Sequence, residues 1–204
     1  MYQDSVEPIV RWKRVRTKTK GNPAYIAFFR NVMVGRAGLT QEAIVCAFRD
    51  CGASSVESFL ATGNIIFESD AHSARSIADC VAILLENDFG LREPIFVRSL
   101  EHLLAMQASA PFSVAPDGDI HERTVTFFDE LVRPLPCLPL RSKRGDCQVF
   151  MVSDCEAFGV TWLFGGRTGN PGKLIEDLGS TRVTTRNWNT IERLLRRYGS
   201  NGSA

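Results

Sequence analysis

The residues between Gly165 and Lys173 (Gly165-Gly166-Arg167-Thr168-Gly169-Asn170-Pro171-Gly172-Lys173) have the types and spacing of an anion cradle. Glycine backbone lets successive N–H groups converge on a negative group, and the segment runs into a predicted helix whose amino terminus carries partial positive charge. It is not a Walker loop. Arg167 stands five positions before Gly172, and Leu174 follows Lys173 where magnesium chemistry needs Ser or Thr. Gly-x-Gly-x-x-Gly is not matched either. The same glycine and proline density also marks an ordinary connection, with Gly169 and Gly172 as turn positions.

A second polar block, Thr184 to Thr190, has Trp188 as its one apolar residue. Asn189 and Glu192 have capping-box spacing, and Trp188 can anchor the following helix in a core. Arg186 is different: a cation just before a helix start opposes the macrodipole by about 0.3–1 kcal/mol unless something negative lies beside it. Lys173 and Arg186, with the amides of Asn187 and Asn189, are therefore expected to form one pocket for a phosphate or carboxylate. Arg30, where the first strand ends, is a further candidate cation, as is Arg36 across the same loop.

Hydrolytic machinery is not visible, since no serine sits in a nucleophile elbow and no histidine is paired. His72, His102 and His121 are isolated, and the cysteines at 46, 51, 80, 137, 147 and 155 form no Cys-x-x-Cys. No metal and no cofactor is expected. Reduced thiols fit this pattern, with Cys46 and Cys80 as small core residues of two helices.

These residues must be positioned by a chain of 204 residues, 44% apolar and 23% charged, which lies in the globular range and allows one large or two small domains. Lys and Arg number 24 against 23 Asp and Glu, so any preference for polyanions has to be local. The one charge run is Arg11 to Lys20, six cations without an acid; residues 1–22 read as a disordered basic tail. Such an arm can make weak nucleic-acid contacts by counterion release, or simply be solvated. No stretch approaches the roughly 18 apolar residues of a membrane span and no secretory leader is apparent, so a cytoplasmic location without a membrane partner is expected.

Ala24 to Arg30 reads as a strand buried on both faces, and Thr40 caps a helix carrying Ile44, Ala47 and Phe48. Strands Ser55–Thr62 and Ile65–Ser69 follow, with Gly63-Asn64 as a tight positive-φ turn and Gly35 in the preceding loop. A helix over 73–89 stopped by Gly90 and a strand over 94–98 complete βαββαβ, the split βαβ of ferredoxin-like folds. Residues 24–98 are thus a ferredoxin-like module. Residues 99–198 form a second, smaller, irregular α+β module with a helix over 99–107, strands over 123–129, 148–152 and 158–164, a short helix over 173–178, a strand over 182–184 and a closing helix over 188–197. Residues 199–204 read as a disordered end.

Four segments carry a likeness: Phe28-Phe29-Arg30-Asn31-Val32-Met33-Val34-Gly35, Phe59 to Phe67, Gly172-Lys173-Leu174, and Thr184-Thr185-Arg186-Asn187-Trp188-Asn189-Thr190. In order and spacing they resemble the bacterial family of domain of unknown function 1697, from about Ala24 to Tyr198. The loop after the first strand departs from that family's Arg-Gly-Ile-Asn-Val-Gly-Gly. The resemblance implies a two-part α+β fold and adds no reaction. Two readings follow. One is a non-catalytic module for a small anion or nucleic-acid phosphate, with Arg193, Arg196 and Arg197 of the last helix as phosphate contacts. The other is an enzyme for a phosphorylated or carboxylated metabolite in the inter-module cleft, where Lys173 and Arg186 would stabilise developing charge.

Overall fold

A computed structural model describes residues 23–199, apart from 33, 36, 37, 61, 62 and 71. The basic run Arg11 to Lys20 and the last five residues lie outside the described residues. The fold is α+β, with two antiparallel sheets and five helices, in two compact units. Among the described residues, one unit takes residues 23–109 and again from Asn189; the other is Ala110–Trp188.

The first unit has the expected βαββαβ order: β1 (Ala24–Phe29), α1 (Gln41–Asp50), β2 (Ser54–Ser58), β3 (Asn64–Glu68), α2 (Ala74–Phe89) and β4 (Ile95–Ser99), with sheet order β2-β3-β1-β4. Alternation along β1 divides its core. Tyr25, Ala27 and Phe29 face α1 and α2, where Phe48, Ile77, Val81 and Leu85 are buried, while Ile26 and Phe28 on the other face are equally inaccessible. That two-sided burial is what the unbroken apolar run requires. Thr40 Oγ1 accepts from Ala43 N at 3.0 Å, and Gly90 ends α2 at φ +67°.

The hairpin departs from expectation. Strand β2 stops at Ser58, the connection spans residues 59–63, and only Gly63 has positive φ (+68°) of the Gly63-Asn64 pair. A Cβ on Gly63 would lie 3.0 Å from that of Phe29. Asn64 is instead an extended, fully buried strand residue that acts through its side chain: Nδ2 donates to Phe59 O at 3.2 Å, closing the loop.

Helix α3 (Leu100–Ala108) packs on β1 and β4 of the first sheet with Leu103 and Met106 buried, and the compact unit that holds this sheet runs to Ser109. The closing helix α5 (Trp188–Tyr198) returns to it, because Tyr198 packs edge to face on Phe59 at 6.0 Å and Gly199 abuts Leu104.

The second unit is more regular than its sequence suggests: β5 (Glu122–Phe127), β6 (Leu140–Arg141), β7 (Cys147–Val152), β8 (Glu156–Thr161) and β9 (Thr184–Asn187) form one sheet in the order β6-β7-β8-β5-β9. Helix α4 (Pro171–Gly179) covers one face through Ile175, which joins Phe128, Val149, Ala157 and Val183. On the other face Phe112 of a 3-10 turn meets Phe158 and Trp188 at centroid distances of 5.8 and 5.1 Å.

Two cysteines differ from their reading as reduced core residues. Cys51 and Cys80 form a disulfide between the end of α1 and the middle of α2, and both Cys80 and Cys46 are exposed. Helical spacing puts Cys46 and Cys80 beside the apolar stripe, but the stripe is already filled by Ile44, Phe48, Ile77 and Val81.

Candidate anion-binding surface

The glycine-rich stretch is divided among structural tasks. Phe164 and Arg167 exchange backbone hydrogen bonds of 2.8 and 3.0 Å around Gly165 (φ +55°) and Gly166 (φ +76°), a two-residue reverse turn that needs glycine conformations. Gly169 sits where a Cβ would meet Asp146 Oδ1 and Cys147 Sγ at 2.6 Å, and Gly172 where it would meet Thr185 Oγ1 at 2.1 Å. At the start of α4, Asn170 Oδ1 accepts from Lys173 N at 3.3 Å. The cap that an anion would replace is thus supplied by the chain itself.

Lys173 and Arg186 do not share a pocket. Pairing of Thr126 with Thr185 and of Val125 with Arg186 assigns Thr185 and Arg186 to opposite faces of the sheet. Gly172 packs on the Thr185 side, so α4 and Lys173 are on one face and the Arg186 side chain is on the other. Lys173 Nζ donates to Asp177 Oδ1 at 2.9 Å, an exposed i,i+4 pair that raises the ammonium pKa. Arg186, mostly buried within β9, folds back to donate to Thr184 Oγ1 at 2.7 Å and Thr185 O at 3.0 Å; burial pushes its pKa down to about 10. Asn187 Nδ2 donates to Glu122 Oε1 at 3.3 Å, and Asn189 lies inside the first turn of α5, not at its cap. A strand running directly into α5 leaves no room for the capping box.

Arg30 pairs with Glu93, whose other oxygen accepts from Asn31 Nδ2 at 3.1 Å. Gly35 (φ +95°) donates to Leu39 O at 2.7 Å within the same loop, and Arg36 lies outside the described residues.

Positive charge collects instead on α5. Ile191, Leu194 and Leu195 bury one side of the helix, which turns Arg193, Arg196 and Arg197 outward at i, i+3 and i+4. Like charges at that spacing repel by about 0.2–0.5 kcal/mol per pair. The last-turn position of Arg196 and Arg197 offsets part of this, because they face the negative end of the helix dipole. Arg193 has no such compensation from its place in the helix.

With Phe59 the three arginines line a shallow groove of about 310 Å³, open to solvent and without an acidic residue among its lining. Glu57 of β2 holds Arg197 from one side. The Arg197 guanidinium lies 5.2 Å from the Tyr198 ring, whose phenol is pushed up to about 12 by burial first and by Glu57 second. Arg196 also lines a second depression, with Leu104, Gln107, Glu192, Leu195 and Gly199.

The arginines are visible as a run in the sequence, but Glu57 and Phe59 are not. Arg197 and Glu57 are 140 residues apart, and no local pattern links them. Among the described residues no group of three or more His, Cys, Asp or Glu side chains could hold a metal ion, and no helix is long and apolar enough to cross a membrane.

Residues 23–158 match the family described as protein of unknown function (DUF1697). No curated protein matches the chain. Among solved structures, the conserved bacterial protein SP0830 from Streptococcus pneumoniae is similar, with a TM-score of 0.53 at 14% identity over 86% of this chain and 97% of that one. At such an identity the likeness is one of fold. The family match spans well over half of the sequence, and the chain belongs to the DUF1697 family.

Proposed function

We propose that this protein is a non-catalytic module that binds an anionic ligand through the arginine face of α5. One observation carries the reading: Arg193, Arg196 and Arg197 converge on a single open groove whose lining contains no carboxylate. Guanidinium groups are weakly hydrated, always charged and forked to meet phosphate or carboxylate oxygens two at a time. An anion there would relieve the mutual repulsion of three cations set three and four residues apart on one helix face, a spacing that Lys173 and Arg30 do not have. Beside the groove, the Glu57 carboxylate is held by Arg197 and the Tyr198 phenol stays protonated through neutral pH.

The test is a melting series of the full chain in pyrophosphate, since a ligand that binds only the folded state raises its transition temperature. Wild type should shift upward with concentration. The Arg193→Gln/Arg196→Gln variant should lose the shift, and Lys173→Ala should keep it. A shift retained in the double variant and lost in Lys173→Ala would return the site to α4.

A further inference from the structure

We infer that the partner of the α5 groove is the phosphate backbone of a nucleic acid, contacted without reading its bases. This rests on the anion-binding reading above and names the ligand class for the same groove. Three features narrow the choice. The groove is open and its lining is three arginines and one phenylalanine, whereas sites for small metabolites are enclosed and mostly apolar, with a few orienting polar groups. The cations are dense: Arg193 and Arg197 are separated by about 6 Å along the helix axis, within a Debye length of about 8 Å. A duplex presents one charge per about 1.7 Å, a density that a peptide with one carboxylate per acidic side chain does not reach.

The third feature is Phe59. It is 6% exposed, held edge to face by Tyr198, so its ring offers no platform on which an unpaired base could stack. The rest of the lining is three arginines on one open helix face, whose forked guanidiniums meet phosphate oxygens two at a time. Contact through phosphates alone positions a protein on the backbone without sequence preference.

The experiment is fluorescence anisotropy of a short labelled DNA duplex of mixed sequence, titrated with the full chain over a series of salt concentrations. Log affinity should fall linearly with log salt, and Arg193→Gln/Arg196→Gln should flatten that slope by about 2, near 0.9 per lost phosphate contact. The matching Arg193→Lys/Arg196→Lys variant should keep the wild-type slope, which separates lost charge from a misfolded helix. Equal affinity for duplexes of different sequence is expected.

An unchanged slope in the glutamine variant would overturn the inference by locating the contacts elsewhere in the chain. So would polyglutamate competing as well as unlabelled duplex, which would point to an acidic protein. If pyrophosphate stabilises the protein in an arginine-dependent way but no duplex binds at low salt, the nucleic-acid inference falls and the anion groove stands. If neither ligand acts, both fall.

Discussion

The start of α4 and the face of α5 both combine a helix with basic side chains, yet the first holds a single paired lysine and the second a cluster of three arginines. At α4 every feature that could attract an anion is answered from within: Asn170 caps the helix, Asp177 holds Lys173, and Gly169 and Gly172 admit neighbouring side chains, not a ligand. At α5 three arginines share one groove and Glu57 meets Arg197. Under the proposed function, the density of cations on one face matters more than a suggestive stretch of glycines whose backbone groups the chain already uses.

The comparison breaks most visibly at Gly172. Gly172→Ala would place a methyl 2.1 Å from Thr185 Oγ1, and that hydroxyl cannot turn away without losing its contact with the Thr126 hydroxyl. Denaturant unfolding should report a loss of about 1–3 kcal/mol, with pyrophosphate binding unchanged. Wild-type stability would mean that this glycine is kept for something other than packing.

An effect at least as large is expected at the disulfide, which belongs to the unit that carries α5. It closes a loop between Cys51 and Cys80, 29 residues apart. Reduction, or Cys80→Ser, should lower the stability of that unit by about 2–4 kcal/mol. Calorimetry with and without reductant should move the transition of the first unit and leave that of the second in place. A uniform shift would show that the units do not melt separately.

Asp146 sharpens the picture of the glycine stretch. Its carboxylate lies beside Gly169, accepts from Ser142 Oγ at 2.6 Å and pairs with Arg144, and these contacts hold its pKa below the usual carboxylate range. A group depressed in the folded state contributes stability that is fully present above its unfolded pKa, near 3.9, and lost as pH falls through the lower folded value. Stability measured against pH should therefore fall in that acid window for wild type and less so for Asp146→Asn. The smallest expected effect is Lys173→Ala. Its pair with Asp177 is exposed and screened, so a slight loss of stability at low salt should vanish at high salt.

Much of the architecture was legible because it rests on local rules. The unbroken run of β1, the Thr40 cap and the Gly90 stop each follow from residue types a few positions apart, and all are present. The site was less legible. Arg186 read as a cation at a helix start because strand β9 was expected to end at Thr184; its extension to Asn187 sends Arg186 and Thr185 to opposite faces. Asn64 looked like a turn residue and proved to be a buried strand residue, since a positive-φ preference and a side-chain amide are not distinguishable from composition.

By itself the amino-acid sequence determined the βαββαβ order, most helix ends and the arginine run of α5, all of which depend on periods of two or 3.6 residues and on caps within one turn. Only the tertiary structure decided which cations share a surface, that Cys51 meets Cys80, and that the last helix returns to the first unit beside Phe59. These are contacts between residues far apart in the chain. They are set by which apolar faces find one another, and no local preference encodes that pairing.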